Sequence, residues 1–296
     1  MPASKQIPFS QLLQKFKNSM REKRKKQPRL VLIIMANTHD AELNKGCVKD
    51  AKAVSKVFKD ICNHIHFDFC AIEISGSNYN RENLKQAISS IILHNENDVT
   101  IFYYSGHGFS YEKDNRRKYP QVDMRPHNDQ VKYNKIGFIE KHTENLAVVL
   151  NILRFKGARI NIAIGDCCNT TIPFRRPKES EKEMNVVKGI MPPKSKALTK
   201  KLFTDASNAV SILVSSTQHG QPAVADLSIG SIFTHHFTRT LANTISKEPK
   251  GSQYLPWLKL LKQTADKAFK DSEGYDIGGG KAGKQKAVFE VFIDRE

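Results

Sequence analysis

The stretch Asp98–Gly108 (DVTIFYYSGHG) decides the fold together with Ala158–Asn169 (ARINIAIGDCCN). Each is a β-branched, apolar run that ends in small and reactive residues. Runs that are apolar on both faces predict buried parallel strands. In an open α/β sheet, reactive groups gather where the carboxyl ends of neighbouring strands meet a crevice. A histidine at one strand end (His107) and a cysteine at the next (Cys168) are the minimum for thiol-based covalent catalysis, a base and a nucleophile.

The order and spacing of these two motifs point to a family. Tyr-Ser-Gly-His-Gly, followed about sixty residues later by Asp-x-Cys, resembles the caspase-like cysteine peptidases, and most of all their metacaspase and bacterial branches. The resemblance runs from about Arg29 to the C-terminus. It implies a caspase-like three-layer α/β sandwich, in which a mostly parallel sheet of about six strands carries helices on both faces.

The rest of the chain alternates between strand-like and helix-like patterns, which is typical of such a sandwich. Predicted strands lie at residues 30–35, 67–74, 98–104, 158–164, 209–215 and 286–292. Predicted helices lie at residues 47–62, 81–93, 144–155, 231–246 and 255–270. The polar stretch 109–137 is predicted to be a loop beside the site.

We expect a basic N-terminal arm (1–28), with a short helix from Phe9 to Phe16, and a caspase-like peptidase domain (29–296). By resemblance, the domain divides into a large-subunit-like part (29–173), a linker (174–208) and a small-subunit-like part (209–296). Caspase-like zymogens are often cut in this linker. Its candidate autocleavage residues are Arg175, Arg176, Lys188, Lys200 and Lys201. The alternative is a solvated basic loop.

The excess of basic residues is relevant to the molecules that this protein could bind. The 296 residues carry a formal net charge of +17, and the pI is near 9.6. One interpretation is a nucleic-acid or anionic-membrane partner held by the basic arm, and the other is a solvated basic surface. No run approaches about 18 consecutive apolar residues, so no membrane span is predicted. The N-terminus lacks an apolar signal core and the five cysteines are an odd number, so we expect a cytoplasmic protein without a disulfide framework.

The resemblance assigns the catalytic residues. Asp-x-Cys puts the reacting thiol two positions after Asp166, at Cys168 rather than Cys167. His107 would act as general acid and base, and the amides of Gly108 and Cys168 would form the oxyanion hole. No acid is expected to orient the histidine. The alternative, from the cysteines alone, is an inert buried pair.

The resemblance also implies a specificity pocket for the residue before the cleaved bond. In metacaspases a Gly-Cys-x-x-Asp after the first strand, the Ser of the His motif and the Asp before the nucleophile line it. The matching positions are Cys47, Asp50, Ser105 and Asp166. Two carboxylates favour a cationic side chain, so we expect cleavage after Arg or Lys. Taken alone, Asp50 also fits a surface acid in the first turn of a helix. Asp226 is a candidate additional acid of the pocket.

The loop after the His motif departs from the metacaspase pattern, which usually carries an acidic run that binds calcium. Here the acids Asp114, Asp123 and Asp129 are scattered, and the basic segment 116–118 would oppose a cation. Hard cations need several oxygen ligands, so we expect neither calcium dependence nor a metal or other cofactor.

Together these patterns predict a cysteine endopeptidase that acts on proteins or peptides through a Cys–His dyad, made as a zymogen. Two alternatives remain at this point. One is a catalytically silent scaffold or adaptor with the same fold. The other is a protease that its basic arm tethers to nucleic acid or an anionic membrane.

Overall fold

The computed structural model describes residues 6–21, 27–111, 118–126, 136–172, 209–226, 228–247, 257–275 and 283–294. Its strands are, in chain order, β1 (Arg29–Ala36), β2 (Asp68–Ser75), β3 (Val99–Ser105), β4 (Gly108–Tyr111), β5 (Gln121–Asp123), β6 (Thr143–Asn145), β7 (Ile160–Asp166), β8 (Thr170–Ile172), β9 (Ala209–Ser215), β10 (Ala225–Asp226), β11 (Gly230–Ser231) and β12 (Val288–Asp294). Its α-helices are α1 (Phe9–Arg21), α2 (Asn44–Ile65), α3 (Arg81–Ser89), α4 (Ile136–His142), α5 (Leu146–Arg154), α6 (Ile232–Lys247) and α7 (Trp257–Ser272).

Six strands form the central sheet, in the order β12-β9-β7-β3-β1-β2. Neighbouring strands run parallel except for β12, which pairs antiparallel with β9 at one edge. In the sheet, β2 lies on one side of β1, and β3, the next long strand along the chain, lies on the other side of β1. The loops that follow β1 and β3 therefore diverge, which opens a crevice at the carboxyl ends of these strands. The predicted mostly parallel sheet of about six strands is confirmed.

Helices cover both faces of this sheet, because alternate residues of a strand point to opposite sides. In β1, Leu30, Leu32 and Ile34 belong to one buried cluster, and Val31, Ile33 and Met35 belong to the other. The first cluster takes its helical residues from α2, α6 and α7, and the second from α1, α3 and α5. Among the helices of the described ranges, none is long and apolar enough to cross a membrane.

A second, four-stranded sheet lies in the order β6-β5-β4-β8. Two of its strands, β4 and β5, fall in or next to the stretch 109–137 that was predicted to be a loop, so that prediction was wrong for these residues. The strands are only three or four residues long. Runs this short show no usable alternation, and their pairing partners come from distant parts of the chain.

The described part of the predicted N-terminal arm includes helix α1, which packs on the domain. Its apolar face buries Leu13, Phe16 and Met20 in the core beneath β2. The guanidinium of Arg29 donates to the carbonyl of Met20 at 2.9 Å, which ties the helix end to β1. Lys15 and Arg21 remain exposed, as expected for an amphipathic helix. A localising role for this basic segment stays a prediction.

Candidate active site

His107 and Cys168 lie just beyond the ends of two adjacent strands. β3 and β7 pair in parallel, and their last partners are Ser105 and Asp166, which are 61 residues apart. β4 and β8 then pair in the same direction with the same offset of 61 residues. His107 and Cys168 have this separation as well, so they hold equivalent positions, here called the same rung, in the short gap between these two paired stretches. Neighbouring chains in a sheet lie about 4.8 Å apart, so the fold brings the segments that carry these two residues side by side.

Hydrogen bonds hold the main chain and the ring of His107. Its carbonyl accepts from the Tyr104 hydroxyl at 2.6 Å and from the amide of Asp123 at 3.0 Å. Its imidazole Nε2 lies 3.0 Å from Oδ2 of Asp40, in the loop between β1 and α2. The sequence motifs predicted no acid partner for this histidine. Asp40 is therefore a residue of the site that sequence reasoning missed, since nothing in the motif marks it.

The two adjacent cysteines have different surroundings. Cys167 is 1% exposed and packs in the core under α1, α3 and α5. Cys168 is partly exposed, and its Sγ accepts a hydrogen bond from the amide of Ala223 at 3.3 Å. Burial raises the pKa of the Cys168 thiol, although the Ala223 amide acts in the opposite direction. Within the described part of the chain, no hydrogen bond joins Cys168 to His107. Such contacts often tighten only when substrate binds.

Gly108 is required for close packing at this rung. A Cβ added to it would collide with Sγ of Cys167 and would lie 2.6 Å from the carbonyl oxygen of Cys168. The glycine therefore lets β4 approach the cysteine turn, which is the structural reason for this residue in the His motif. Its expected role in the oxyanion hole concerns its amide and stays a prediction.

The four residues of the predicted specificity pocket come together in a buried cluster. The Ser105 hydroxyl lies 2.9 Å from Oδ2 of Asp50 and 3.3 Å from Sγ of Cys47. Oδ1 of Asp50 accepts from the amide of Ser231 at 3.0 Å. Gly230, which precedes that serine, has φ +87° and lies so close to Oδ1 of Asp50 that an added Cβ would clash. Only glycine fits there, because both the conformation and the contact exclude a side chain. Asp50 is 2% exposed, so it is not the surface acid that its sequence alone also allowed.

Asp166, the fourth member, lies at the end of β7, beside Ser105. Its Oδ2 accepts hydrogen bonds from the hydroxyl and the amide of Thr234, at the start of α6. Oδ1 is buried and accepts no well-aligned hydrogen bond from the described residues, although the nearby hydroxyls of Ser231 and Ser216 act to lower the pKa of the carboxyl. Thr234 closes the segment GSIFT, which resembles a helix start of the family, but sequence reasoning did not connect this residue with Asp166.

The two carboxyl groups influence each other electrostatically. Burial and the neighbouring Asp166 raise the pKa of Asp50 to about 8. Burial likewise raises the pKa of Asp166. Burial also raises the pKa of the Cys47 thiol to about 12, so this thiol stays neutral. The acid pair therefore keeps a proton at neutral pH, because two buried like charges are unfavourable together.

Asp226, the candidate additional acid of the pocket, forms its hydrogen bonds with residues outside the buried cluster. Its Oδ1 accepts hydrogen bonds from the amide and hydroxyl of Ser228, and its Oδ2 accepts from the Tyr275 hydroxyl at 3.3 Å. The bonds from Ser228 lower the pKa of Asp226. No described contact joins it to Asp50 or Asp166. The five candidate autocleavage residues lie outside the described residues.

Of the acids considered for calcium, Asp123 lies in the described ranges. The carboxylate of Asp123 accepts from the amide and the guanidinium of Arg125 at 2.9 and 3.1 Å. Asp114 and Asp129 lie outside the described residues. In the described ranges, no group of three His, Cys, Asp or Glu side chains is placed to hold a metal ion.

Comparison with known proteins identifies the family of this fold and site. The profile of the caspase domain family matches residues 28–289, which includes both motifs and all six strands of the central sheet up to the start of β12. No curated protein matches the chain in a sequence search. Because the match covers most of the 296 residues, the chain belongs to the caspase domain family of cysteine peptidases.

Proposed function

We propose that this protein is a cysteine endopeptidase that cleaves after Arg or Lys, with Cys168 as nucleophile and His107 as general acid and base. The observation that carries the proposal is the buried acid pair, which consists of Asp50 in α2 and Asp166 at the end of β7, the strand that leads to the nucleophile. The exposed fractions of these two residues are 2% and 4%.

Among the described residues, no cation neutralises this pair. In the described residues no Lys, Arg or His forms an ion pair with either carboxylate, although other acids do have such partners. A buried acid without a cation is costly, because desolvation is not repaid by a charge partner. Oδ1 of Asp166 also keeps unused acceptor capacity. An Arg or Lys side chain of a substrate would supply both the charge and the missing donor, whereas an Asp side chain would be repelled.

The chemistry follows from the state of the thiol. Because burial raises the pKa of Cys168, the thiol keeps its proton in the resting site and a base must take it during attack. Sγ bonds to the substrate carbonyl carbon while the proton passes to His107. His107 then returns it to the leaving amine, and a thioester remains on Cys168. Water, deprotonated by His107, releases the carboxylic acid product and restores the thiol. The amides of Gly108 and Cys168 are the proposed donors to the oxyanion.

The proposal includes autoprocessing in the linker 174–208, which contains Arg175, Arg176, Lys188, Lys200 and Lys201. The segment connects β8 to β9, and β9 is hydrogen-bonded along its length to β7. A cut in the linker would therefore leave both halves joined through the sheet.

A panel of fluorogenic peptides tests the specificity. The peptides share one sequence and differ only in the residue before the cleaved bond, which is Arg, Lys, Gln or Asp. We expect kcat/KM for Arg and Lys to exceed that for the uncharged Gln by about 10²-fold or more, because a buried charge pair contributes several kcal/mol. Equal rates for Arg and Gln, or a preference for Asp, would contradict the acidic pocket. Absence of cleavage in the panel, with no labelling of Cys168 by an affinity reagent, would favour the scaffold alternative.

A further inference from the structure

We propose that Asp40 positions His107: its carboxylate holds the Nε2–H of the imidazole, so that the Nδ1 lone pair is the base for the Cys168 thiol. This inference rests on the proposed function, in which His107 is the general base. The sequence motifs carry no assignment for Asp40.

The hydrogen bond between the two side chains defines the tautomer. Oδ2 of Asp40 lies 3.0 Å from Nε2 of His107. An ionised carboxylate can only accept, so the imidazole must be the donor and carry its proton on Nε2. The neutral ring then has its lone pair on Nδ1. In the described residues Nδ1 has no hydrogen-bond partner, so it is the nitrogen that is free to face the thiol on the same rung.

Asp40 is held ready for this contact by its own loop. Its Oδ1 accepts from the amides of Glu42 and Leu43 at 2.9 and 3.2 Å, while Oδ2 is left for the histidine. Burial alone would raise the pKa of Asp40, but the hydrogen bonds from His107 and from these two amides lower it overall. The carboxylate therefore stays ionised at neutral pH and its orientation is fixed from one side.

The loop is in turn tied to the strands that carry the site. The amide of Asn37 donates to the carbonyl of Ser105 at 2.9 Å, at the end of β3. The hydroxyl of Thr38 accepts from the amide of Gly76 at 2.9 Å, and the ring of His39 lies edge-on to Tyr79, with centroids 5.0 Å apart. These contacts hold the loop over the crevice between β1 and β3, so the position of Asp40 is a property of the fold.

The ring is partly open to solvent, which limits the expected effect. The side chains of His107 and Asp40 are 36% and 30% exposed. In a serine protease, turning the buried triad acid into its amide lowers kcat by about 10⁴-fold through the wrong tautomer. Because Asp40 and His107 are more exposed than such a triad, we expect replacement of Asp40 by its amide to lower kcat by about 10²-fold.

Asp40→Asn is the decisive variant because it keeps the shape of the side chain but reverses the direction of the hydrogen bond to His107. The amide oxygen can still accept from the Glu42 and Leu43 amides, but the NH₂ group can only donate to Nε2. The proton would then move to Nδ1, which removes the base. We expect kcat for an Arg peptide to fall by about 10²-fold while KM changes less than about twofold. Asp60→Asn, which removes an exposed acid from α2, leaves both constants unchanged.

Nitrogen-15 NMR of the imidazole reads the tautomer without any turnover. The spectra are taken in the Cys168→Ala background, at a pH high enough that the imidazole signals no longer change with pH. Subtracting the spectrum of a His107→Ala protein isolates the signals of His107. We expect the Nε2–H form with Asp40 present, the Nδ1–H form in Asp40→Asn, and a mixture in Asp40→Ser, which keeps a loop acceptor but cannot reach the ring.

The two readouts separate this inference from the proposed function. An unchanged His107 tautomer in both Asp40→Asn and Asp40→Ser would overturn the inference, even if the peptidase is active. Equal losses of kcat in Asp40→Asn and Asp60→Asn would overturn it too. If no peptide is cleaved by any form but the tautomer changes as expected, the positioning contact stands and the proposed function fails.

Discussion

Replacing Cys168 with Ala is expected to lower turnover of Arg peptides by at least about 10⁴-fold, because no other group at this rung can form the acyl intermediate. The variant should keep its fold, since the side chain is only partly buried and its Sγ accepts a single amide hydrogen bond. Its linker should also stay intact during incubation, whereas we expect the active protein to be cut between β8 and β9. Peptide kinetics and gel electrophoresis measure the two effects on the same samples.

Cys167→Ala is the matched control for this variant. It removes the neighbouring thiol, which packs in the core against Gly108. We expect a small loss of stability from the cavity, of about 1 kcal/mol, and turnover within a few-fold of the unchanged protein. A loss of turnover in Cys167→Ala with retention in Cys168→Ala would contradict the assignment, because the nucleophile would then be Cys167.

The second large effect is expected from Asp50→Asn. The amide keeps the shape of the buried cluster, and its oxygen can still accept from the Ser231 amide, but half of the acid pair is lost. We expect kcat/KM for Arg peptides to fall by about 10²-fold, because truncating one partner of a buried charge pair costs about 2–5 kcal/mol. Cleavage of the Gln peptide should change little, so the Arg-to-Gln ratio is the quantity to measure.

The same variant should become more stable relative to the unchanged protein as the pH rises. In the unfolded chain an aspartate loses its proton near pH 3.9, whereas the folded Asp50 keeps it until about pH 8. Its contribution to stability is therefore full below about pH 4 and is lost as the pH rises to about 8, by at most about 1.4 kcal/mol per pH unit. Asp50→Asn lacks this loss, so its free energy of unfolding relative to the unchanged protein should increase between about pH 5 and about pH 8.

Asp60→Asn provides the control on the same helix. Asp60 lies near the end of α2, where its exposed carboxylate pairs with Lys56 at 2.6 Å. Neither the Arg-to-Gln ratio nor the pH dependence of unfolding should change in this variant, since exposed ion pairs contribute little. An Asp50→Asn protein that unfolds and cleaves like Asp60→Asn would contradict both the raised pKa and the pocket.

The long buried strands and the two motifs could be predicted from the sequence for a physical reason. β1, β3 and β7 are buried along their whole length, so each appears as an uninterrupted apolar run. The residues that follow β3 and β7 are then brought together by parallel pairing alone. The observed strands lie within about two residues of the predicted ones, as expected of boundaries read from patterns.

The remaining features depend on contacts between distant segments that carry no local pattern. β4 and β8 form because Gly108 allows close approach to the cysteine turn, which no periodicity reveals. Asp40 contacts His107 across 67 positions of the sequence, from a loop that has no motif. Thr234 reaches Asp166 across 68 positions, and only its place at the start of α6 could have suggested a role. Such contacts between distant residues can be identified only once the pairing of the strands is known.

The most direct test of the nucleophile and the pocket together is covalent labelling by a peptidyl chloromethyl ketone that ends in Arg, compared with one that ends in Asp. Mass spectrometry of the digested protein then locates the adduct. We expect the Arg reagent to give a single adduct on Cys168, abolished by His107→Ala and strongly slowed by Asp50→Asn, and the Asp reagent to give none. An adduct on Cys167 or Cys47, or faster labelling by the Asp reagent, would contradict a Cys168 peptidase with an acidic specificity pocket.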